Sequence, residues 1–594
     1  MRDYFPLSKT EEGIYVSCLQ PTDAYNLANV IHLGKELDVK RFASAVSSVF
    51  EAHPYLFTVL FEGEDGRIYK KIRTKRIEIP VVKQETLDIV SPPFTMLDSH
   101  LFRLGLYLVK GEYYFLYDFH HIIFDGTSIK TFADEVSAAY EGKKIEKEVY
   151  DANDFAADEE KRLLGKEYKT AKAYFEKAIV DPETDSSLIF DKSDGKAEYK
   201  TLKLGLKIKN DAVKKRTTAL GIKTSAFFLG AFGYLLSKIN MDEKALFLTV
   251  NNGRNDFLKR SMGMFVKTYP MYLEKKETVG EYLKSASEEV KESVSRLVYP
   301  FSDMVKDLGV SSSVMFAYQG DYFYKTTFNG KEVYIDQLER KDGKENISIE
   351  LHRDNGSFFT WVEYRSDLYE ENTLRHLISV YDKILEEFLT KEKLDDVDLV
   401  TEEEGKLLDS FNRTDVSYID FSKTVLDEFK DAVKKFPDRY AVVFKDRKYT
   451  YKETDELSDR VARYLQEKGI GKGDKVSVLI NKSEYIVIAS LGAVKTGAAY
   501  QPLDPTYPKE RLEFMIKDSG AKALVKDRDL VDLLAEYDGE VLYTDEIPTL
   551  KEGKPKNVSV TPDDLFIMLY TSGSTGLPKG VMLTHKNIHT FASF

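Results

Sequence analysis

Strand-like and helix-like segments alternate along almost the whole chain, and this rhythm restricts it to α/β architectures. Gly111 to Ile123 reads as a strand, with Tyr113, Phe115, Tyr117, Phe119 and His121 on one face and Tyr114, Leu116, Asp118 and His120 on the other. Thr224 to Leu236 reads as a buried helix. Leu374, Leu377, Ile378, Tyr381, Ile384, Leu385 and Phe388 recur at helical spacing, which predicts an amphipathic helix over Glu371 to Leu389. The rhythm then stops. Lys391-Glu-Lys-Leu-Asp-Asp-Val-Asp is charged and has no period, and the segment through Phe411-Asn-Arg-Thr to about Tyr418 reads as a linker. A second rhythm starts near Thr424, with Thr424–Phe436, Tyr440–Phe444, Thr454–Lys468, Lys475–Ile480 and Tyr485–Thr496 as its segments, and it predicts a mostly parallel sheet. It stops at Phe594, inside a helix-like segment that begins near Thr584, so this second domain is expected to be cut short.

The chain has 594 residues, too many for one hydrophobic core, so several domains are expected. With 42% hydrophobic and 31% charged residues it reads as soluble and globular. The longest nearly apolar stretch, Ser225 to Leu236, is too short to span a bilayer, and the N-terminus lacks the apolar core of a signal peptide. No membrane partner is expected. One cysteine, Cys18, excludes an intrachain disulfide framework and a cysteine-rich metal site, and fits a reducing cytoplasm. The net charge of −13 argues against a nucleic-acid partner.

Two of the nine histidines are adjacent, in His120-His-Ile-Ile-Phe-Asp-Gly. If the strand ends near His121, its imidazole stands at a strand tip above a tight loop. Imidazole is the side chain best matched to proton transfer near neutral pH. A carboxylate at Asp125 can hold the loop in shape by pairing with a buried arginine, and Gly126 would permit a backbone conformation closed to other residues. No further histidine or cysteine lies near the pair in sequence, so no metal is expected there.

The motif resembles the active-site signature of condensation domains of nonribosomal peptide synthetases, part of a wider acyltransferase superfamily. Other family landmarks follow in order: Pro6-Leu-Ser-Lys-Thr-Glu-Glu-Gly-Ile, His53-Pro-Tyr-Leu-Phe-Thr, Asp154-Phe-Ala, Asn252-Gly-Arg, Met262-Gly-Met-Phe-Val-Lys-Thr, Tyr299-Pro-Phe and Val314-Met-Phe-Ala-Tyr-Gln. The likeness covers about residues 1–425. It departs from the family at Ala52 and Phe57, where arginines are usual. Glu11 or Glu12 replaces the usual glutamine of the opening motif, and Val298 replaces the usual acidic residue. The resemblance implies a two-lobed, chloramphenicol acetyltransferase-like α/β fold with a tunnel between the lobes. His121 is the implied catalytic residue, with His120, Asp125, Gly126 and Arg254 as support and Asp125 paired with Arg254. Phosphopantetheine arms of donor and acceptor carrier proteins would bring the two thioesters, with the rest of a synthetase module as partner. His121 would either remove the proton of the acceptor amine or position that amine.

A second signal is Leu569-Tyr-Thr-Ser-Gly-Ser-Thr-Gly-Leu-Pro-Lys-Gly-Val, a strand feeding a Gly/Ser/Thr loop. Gly573 and Gly576 let backbone N–H groups approach an anion, Thr571, Ser572, Ser574 and Thr575 add hydroxyls, and Lys579 adds charge: chemistry for the phosphates of ATP. It lacks the P-loop spacing. The string resembles the phosphate loop of amino-acid adenylation domains, as Tyr449-Thr-Tyr-Lys-Glu and Lys495-Thr-Gly-Ala-Ala-Tyr resemble that family's earlier motifs. The rest of that machinery lies outside the sequence, so the segment is expected not to activate an amino acid; ATP and Mg would belong to the complete domain only. The expected division is an N-lobe over 1–175, a C-lobe over 176–395, a linker over 396–423 and a partial adenylation domain over 424–594. The alternatives are an acyltransferase using a soluble acyl thioester and a non-catalytic carrier-docking module.

Overall fold

The computed structural model describes residues 4–179, 186–193, 195–414, 419–572 and 577–593. The chain divides into two compact units, Met1–Ser410 and Phe411–Phe594.

The first unit is built on two six-stranded sheets. One runs Lys325–Phe328, Lys331–Gln337, Asn26–Gly34, Glu112–His120, Phe102–Val109, Val81–Gln84. Its central strand, Glu112–His120, pairs antiparallel with both neighbours. Alternation explains its place: Phe115, Tyr117 and Phe119 point to the helices Val39–Ala52 and Gly126–Tyr140, where Phe42 meets Phe115, Phe50 meets Phe119 and Phe132 meets Tyr117. Leu116, on the other face, packs with Ala28 and Val30. The strand expected to reach Ile123 ends at His120, and His121–Ile123 forms one 3-10 turn. The cause is local. Ile122 N donates to His120 Nδ1 at 3.2 Å rather than to a ladder partner, and Phe119 stacks on Phe124 at 4.1 Å.

Two strands of this sheet, Lys325–Phe328 and Lys331–Gln337, come from the C-terminal half of the unit, with Ile335 opposite Ile31. The N-terminal lobe is therefore not one consecutive stretch of sequence. The second sheet runs Lys267–Glu274, Lys244–Asn251, Val314–Asp321, Ile347–Asp354, Ser357–Arg365, Tyr199–Lys209. Helices Thr224–Ile239 and Glu371–Thr390 cover one face of it: Phe232 stacks on Phe316 at 4.4 Å, and Tyr381 OH donates to Phe228 O at 3.0 Å. Among the described residues no single helix is long and apolar enough to cross a membrane. The pair Asn210–Leu220 and Thr224–Ile239 passes on composition together but bends by 95°.

The stretch expected to be a linker contains a helix, Glu402–Phe411. Its signal was a Thr-x-x-Glu capping pair: Thr401 N donates to Glu404 Oε2 at 2.8 Å and Glu404 N to Thr401 Oγ1 at 3.3 Å. The second unit holds a sheet ordered Glu540–Tyr543, Ala523–Lys526, Lys475–Leu479, Ala499–Leu503, Leu565–Thr571, Lys579–Thr584. All its pairings are parallel except the last.

Candidate active site

The adjacent histidines do different work. His120 is buried. Its Nδ1 accepts from Ile122 N, which puts its ring proton on Nε2, 3.6 Å from Cys18 Sγ. Burial, then the charges of Lys344 and Arg103, push its pKa down to about 3. It is a neutral cap on the turn. His121 is half-buried, and its backbone N–H donates to Tyr25 O at 2.8 Å. Its Nδ1 is buried without a hydrogen-bond partner, although the residue as a whole keeps some accessible surface. Burial, then the Lys344 charge, hold its pKa well below the ordinary imidazole value. A neutral, accessible imidazole can accept a proton at pH 7.

Asp125 ends the turn and caps helix Gly126–Tyr140. Its carboxylate is fully enclosed. Oδ1 accepts from Ser128 N and Ser128 Oγ, both at 2.9 Å, and Oδ2 accepts from Phe265 N at 3.2 Å. Arg254 adds a fork, Nη1 to Oδ2 at 2.6 Å and Nη2 to Oδ1 at 2.9 Å. All its lone pairs are engaged, so Asp125 is a clamp on the loop rather than a proton relay. Gly126 departs from expectation: it starts the helix and has no positive φ. Glycine serves there because a Cβ would stand 3.2 Å from Phe323 Cζ. The conformational requirement falls on Gly253, which the sequence reading passed over inside Asn252-Gly-Arg. Its φ is +63°, and a Cβ would lie 1.8 Å from the Phe265 carbonyl oxygen.

The loop that carries Arg254 is tied to the N-terminal lobe a second time. His53 is enclosed, with Nε2 at 2.7 Å from Glu135 and Nδ1 at 3.1 Å from Glu148. Arg260 reaches Glu135 at 2.8 Å, and Met262 N donates to Glu148 at 3.2 Å. Burial opposes a charged His53, but the two carboxylates win and raise its pKa to about 9. Of the opening-motif acids it is Glu11 that is buried: it accepts from Lys70 at 2.6 and 2.8 Å and from Tyr55 OH at 2.6 Å.

Three residues around His121 had no signal in the sequence. Tyr25 receives the His121 N–H. Arg340 donates to Ala24 O at 3.1 Å and pairs with Glu363 at 2.5 Å. Lys344 places its Nζ 4.7 Å from the centre of the Tyr25 ring. Two of them arrive from more than halfway along the chain, so spacing around the histidines could not reveal them. Among the described residues no group of three or more His, Cys, Asp or Glu could hold a metal ion.

In the second unit Thr571 and Lys579 face each other at the ends of an antiparallel pair, and Thr571, Ser572 and Lys579 are exposed. Gly573, Ser574, Thr575 and Gly576 lie outside the described residues.

Two sheets, the first completed by strands from the C-terminal half of the unit, with a neutral histidine at a strand tip above a clamped Asp-Gly turn, define a two-lobed condensation-type unit. The condensation-domain family profile matches residues 1–408, and the chain belongs to that family. An AMP-binding enzyme profile matches residues 429–594, so a condensation domain is followed by the first part of an AMP-binding domain. The chain is 29% identical over 622 residues to surfactin synthase subunit 1 of Bacillus subtilis (strain 168), covering 98% of this chain and 17% of that protein. It is 26% identical over 621 residues to gramicidin S synthase 2 of Brevibacillus brevis, covering 99% of this chain and 14% of that protein. The chain thus spans under a fifth of the length of these relatives. Its fold is shared with a four-domain nonribosomal peptide synthetase bound to AMP and glycine (TM-score 0.75, 18% identity, 99% of this chain and 48% of that one). It is also shared with the first condensation domain of the calcium-dependent antibiotic synthetase in complex with a substrate analogue (TM-score 0.57, 16% identity, 67% of this chain and 99% of that one).

Proposed function

We propose that residues 1–408 catalyse amide-bond formation between two carrier-bound thioesters, with His121 as the catalytic residue. The observation that carries this reading is a half-buried, neutral His121 at a strand tip, on a turn held by the Asp125–Arg254 clamp. The arms that present the thioesters are phosphopantetheine groups of donor and acceptor carrier proteins, and they supply the acyl carbon and the amine. His121 Nε2 takes the proton of the acceptor amine as it attacks, and its fixed backbone places that nitrogen. His120, Asp125, Gly126 and Arg254 hold the turn and touch no substrate. In the second unit Thr571, Ser572 and Lys579 fit the phosphates of ATP, and the activity of that domain depends on parts beyond residues 429–594. A cytoplasmic setting suits a chain whose one cysteine, Cys18, is free and buried.

The test is a condensation assay with defined donor and acceptor carrier proteins. Wild type should form amide, and His121→Ala should bind the carriers without forming it. Equal product from both proteins would remove His121 from the chemistry.

A further inference from the structure

The pairing of strands Asn26–Gly34 and Glu112–His120 ends with Asn26 opposite His120. One step beyond, His121 N donates to Tyr25 O at 2.8 Å. Tyr25 belongs to the irregular stretch between helix Lys9–Ser17 and strand Asn26–Gly34, so regular structure does not fix its carbonyl. The stretch is held instead by residues 338–346, which return the chain from the N-terminal sheet to strand Ile347–Asp354. Asp23 Oδ1 accepts from Asp342 N at 2.8 Å, and Asp23 Oδ2 accepts from Lys341 N at 3.0 Å. Asp342 reciprocates: its Oδ2 accepts from Thr22 Oγ1 at 2.8 Å and from Asp23 N at 3.4 Å. Arg340 completes the joint, donating to Ala24 O at 3.1 Å and pairing with Glu363 of strand Ser357–Arg365 at 2.5 Å.

Two properties distinguish this joint from ordinary loop packing. It is reciprocal: each aspartate accepts from the other's backbone N–H, so segments 319 positions apart are fixed in register and not merely in contact. It also gathers two carboxylates, one of them buried, where an apolar joint would hold the fold at a lower desolvation cost. What the carboxylates add is geometric precision, because charge-assisted bonds to backbone N–H groups are short and directional. The second sheet thereby reaches the His121 turn from both sides. Arg254 holds the residue that ends the turn, Asp125, and residues 340–342 hold the stretch whose Tyr25 carbonyl receives the His121 N–H.

We infer that Asp23 and Asp342 are positioning residues of the condensation site: their reciprocal clamp sets the Tyr25 carbonyl, and that carbonyl sets the backbone from which the His121 imidazole projects. The inference rests on the reading of His121 as the catalytic residue. Neither aspartate touches substrate, and neither is bonded to the imidazole ring. Their effect is on where the ring stands, not on its capacity to accept a proton. Position matters because a misplacement of about 1 Å can cost about 10²-fold in rate. An asparagine at position 23 would keep the size of the side chain but turn an NH₂ group toward one of the two N–H donors, replacing a hydrogen bond by a donor–donor contact. The stretch would keep its packing while Tyr25 O, and His121 with it, lost its fixed place.

The experiment uses the full chain in the condensation assay with donor and acceptor carrier proteins, well below the melting midpoint of each variant. It compares wild type, His121→Ala, Asp23→Asn, Asp342→Asn, Thr22→Ser and Thr22→Val, with circular dichroism as the folding control. Asp23→Asn and Asp342→Asn should each lower kcat by about 10–10²-fold, with KM and the acid limb of the kcat profile nearly unmoved. Thr22→Ser keeps the hydroxyl and should stay near wild type, whereas Thr22→Val should be several-fold slower; this pair decides the matter where an aspartate variant fails to fold. Isotope-labelled histidine reads the joint directly. The chain has nine histidines, and the His121→Ala spectrum assigns the His121 amide. That amide should exchange with solvent faster in Asp23→Asn, while the His120 amide, which donates to Leu101 O, should not. An unchanged kcat in both aspartate variants, a rise in KM alone, a Thr22→Ser as slow as Thr22→Val, or a His121 amide that exchanges as in wild type overturns the inference. No amide from wild type removes the His121 reading and this inference together. Turnover that needs His121 but ignores Asp23 and Asp342 removes this one alone.

Discussion

Arg254 crosses 129 positions of sequence to place one guanidinium nitrogen on each oxygen of Asp125, at 2.6 and 2.9 Å. One ion pair thus joins the histidine turn of the first sheet to a loop that leaves the second. Both side chains are enclosed, at 4% and 0% exposure, so neither charge is screened by water.

Removing one partner leaves the other charge buried and alone. Asp125→Asn is expected to cost about 3–5 kcal/mol, against a much smaller cost for an exposed pair such as Lys161–Asp158. Urea unfolding of Asp125→Asn and Asp158→Asn against wild type measures the difference. Equal midpoints for Asp125→Asn and wild type would show that the clamp is not needed.

Substitution at the two histidines should separate stability from chemistry. His121→Ala is expected to lower the condensation rate by about 10²–10⁴-fold with an unchanged melting midpoint. His120→Ala removes the cap on Ile122 N and should cost about 1 kcal/mol of stability while leaving His121 able to take a proton. Single-turnover assays beside thermal melts read both effects. The reverse pattern would exchange the two roles.

His53 gives stability a dependence on alkaline pH. Its folded pKa, about 9, lies above the ordinary 6.5. The contribution is therefore fully present below about pH 6.5 and is lost as pH rises through about 9. Its partners differ: burial opposes both carboxylates, yet hydrogen bonds from His53 and Arg260 hold Glu135 low, whereas burial keeps Glu148 raised. His53–Glu135 is accordingly the pair that stays ionised. The shift corresponds to roughly 3 kcal/mol. Unfolding midpoints from pH 6 to 10 should fall for wild type, and His53→Gln should flatten that fall. Parallel curves would place the loss elsewhere.

Glycine replacements on either side of the clamp should differ. Gly253→Ala puts a methyl into the Phe265 carbonyl from a left-handed backbone, so it should cost more than the ~1–2 kcal/mol of the backbone alone and displace Arg254. Gly126→Ala meets only the edge of the Phe323 ring, which can turn. Melting midpoints of the two variants give the order, and a milder Gly253→Ala would contradict it.

Much of the fold was legible because it is local. Tyr113 to Phe119 alternates, Leu374 to Phe388 repeats at helical spacing, and both form the elements that such patterns predict. The histidine turn was legible because His120, His121, Asp125 and Gly126 fall within seven consecutive residues. The end of the strand was not, since a side chain, His120 Nδ1, captures the N–H that would have extended it. The reason for Gly126 was misread because the residue it must accommodate, Phe323, lies in another part of the chain. The contacts of Arg340 and Lys344 were invisible for the same reason: Ala24 and the Tyr25 ring lie more than 300 positions away in sequence.

The strands Lys325–Phe328 and Lys331–Gln337 set a timetable for synthesis. Until they emerge from the ribosome, Asn26–Gly34 is an open edge whose N–H and C=O groups have no neighbour on one side. Arg340 meets Ala24 across 316 positions. At about 5–20 residues per second, that edge waits on the order of 15–60 s before it is closed. The nascent N-terminal half is therefore the species most in need of a chaperone, and slow codons before residue 325 would lengthen its exposure.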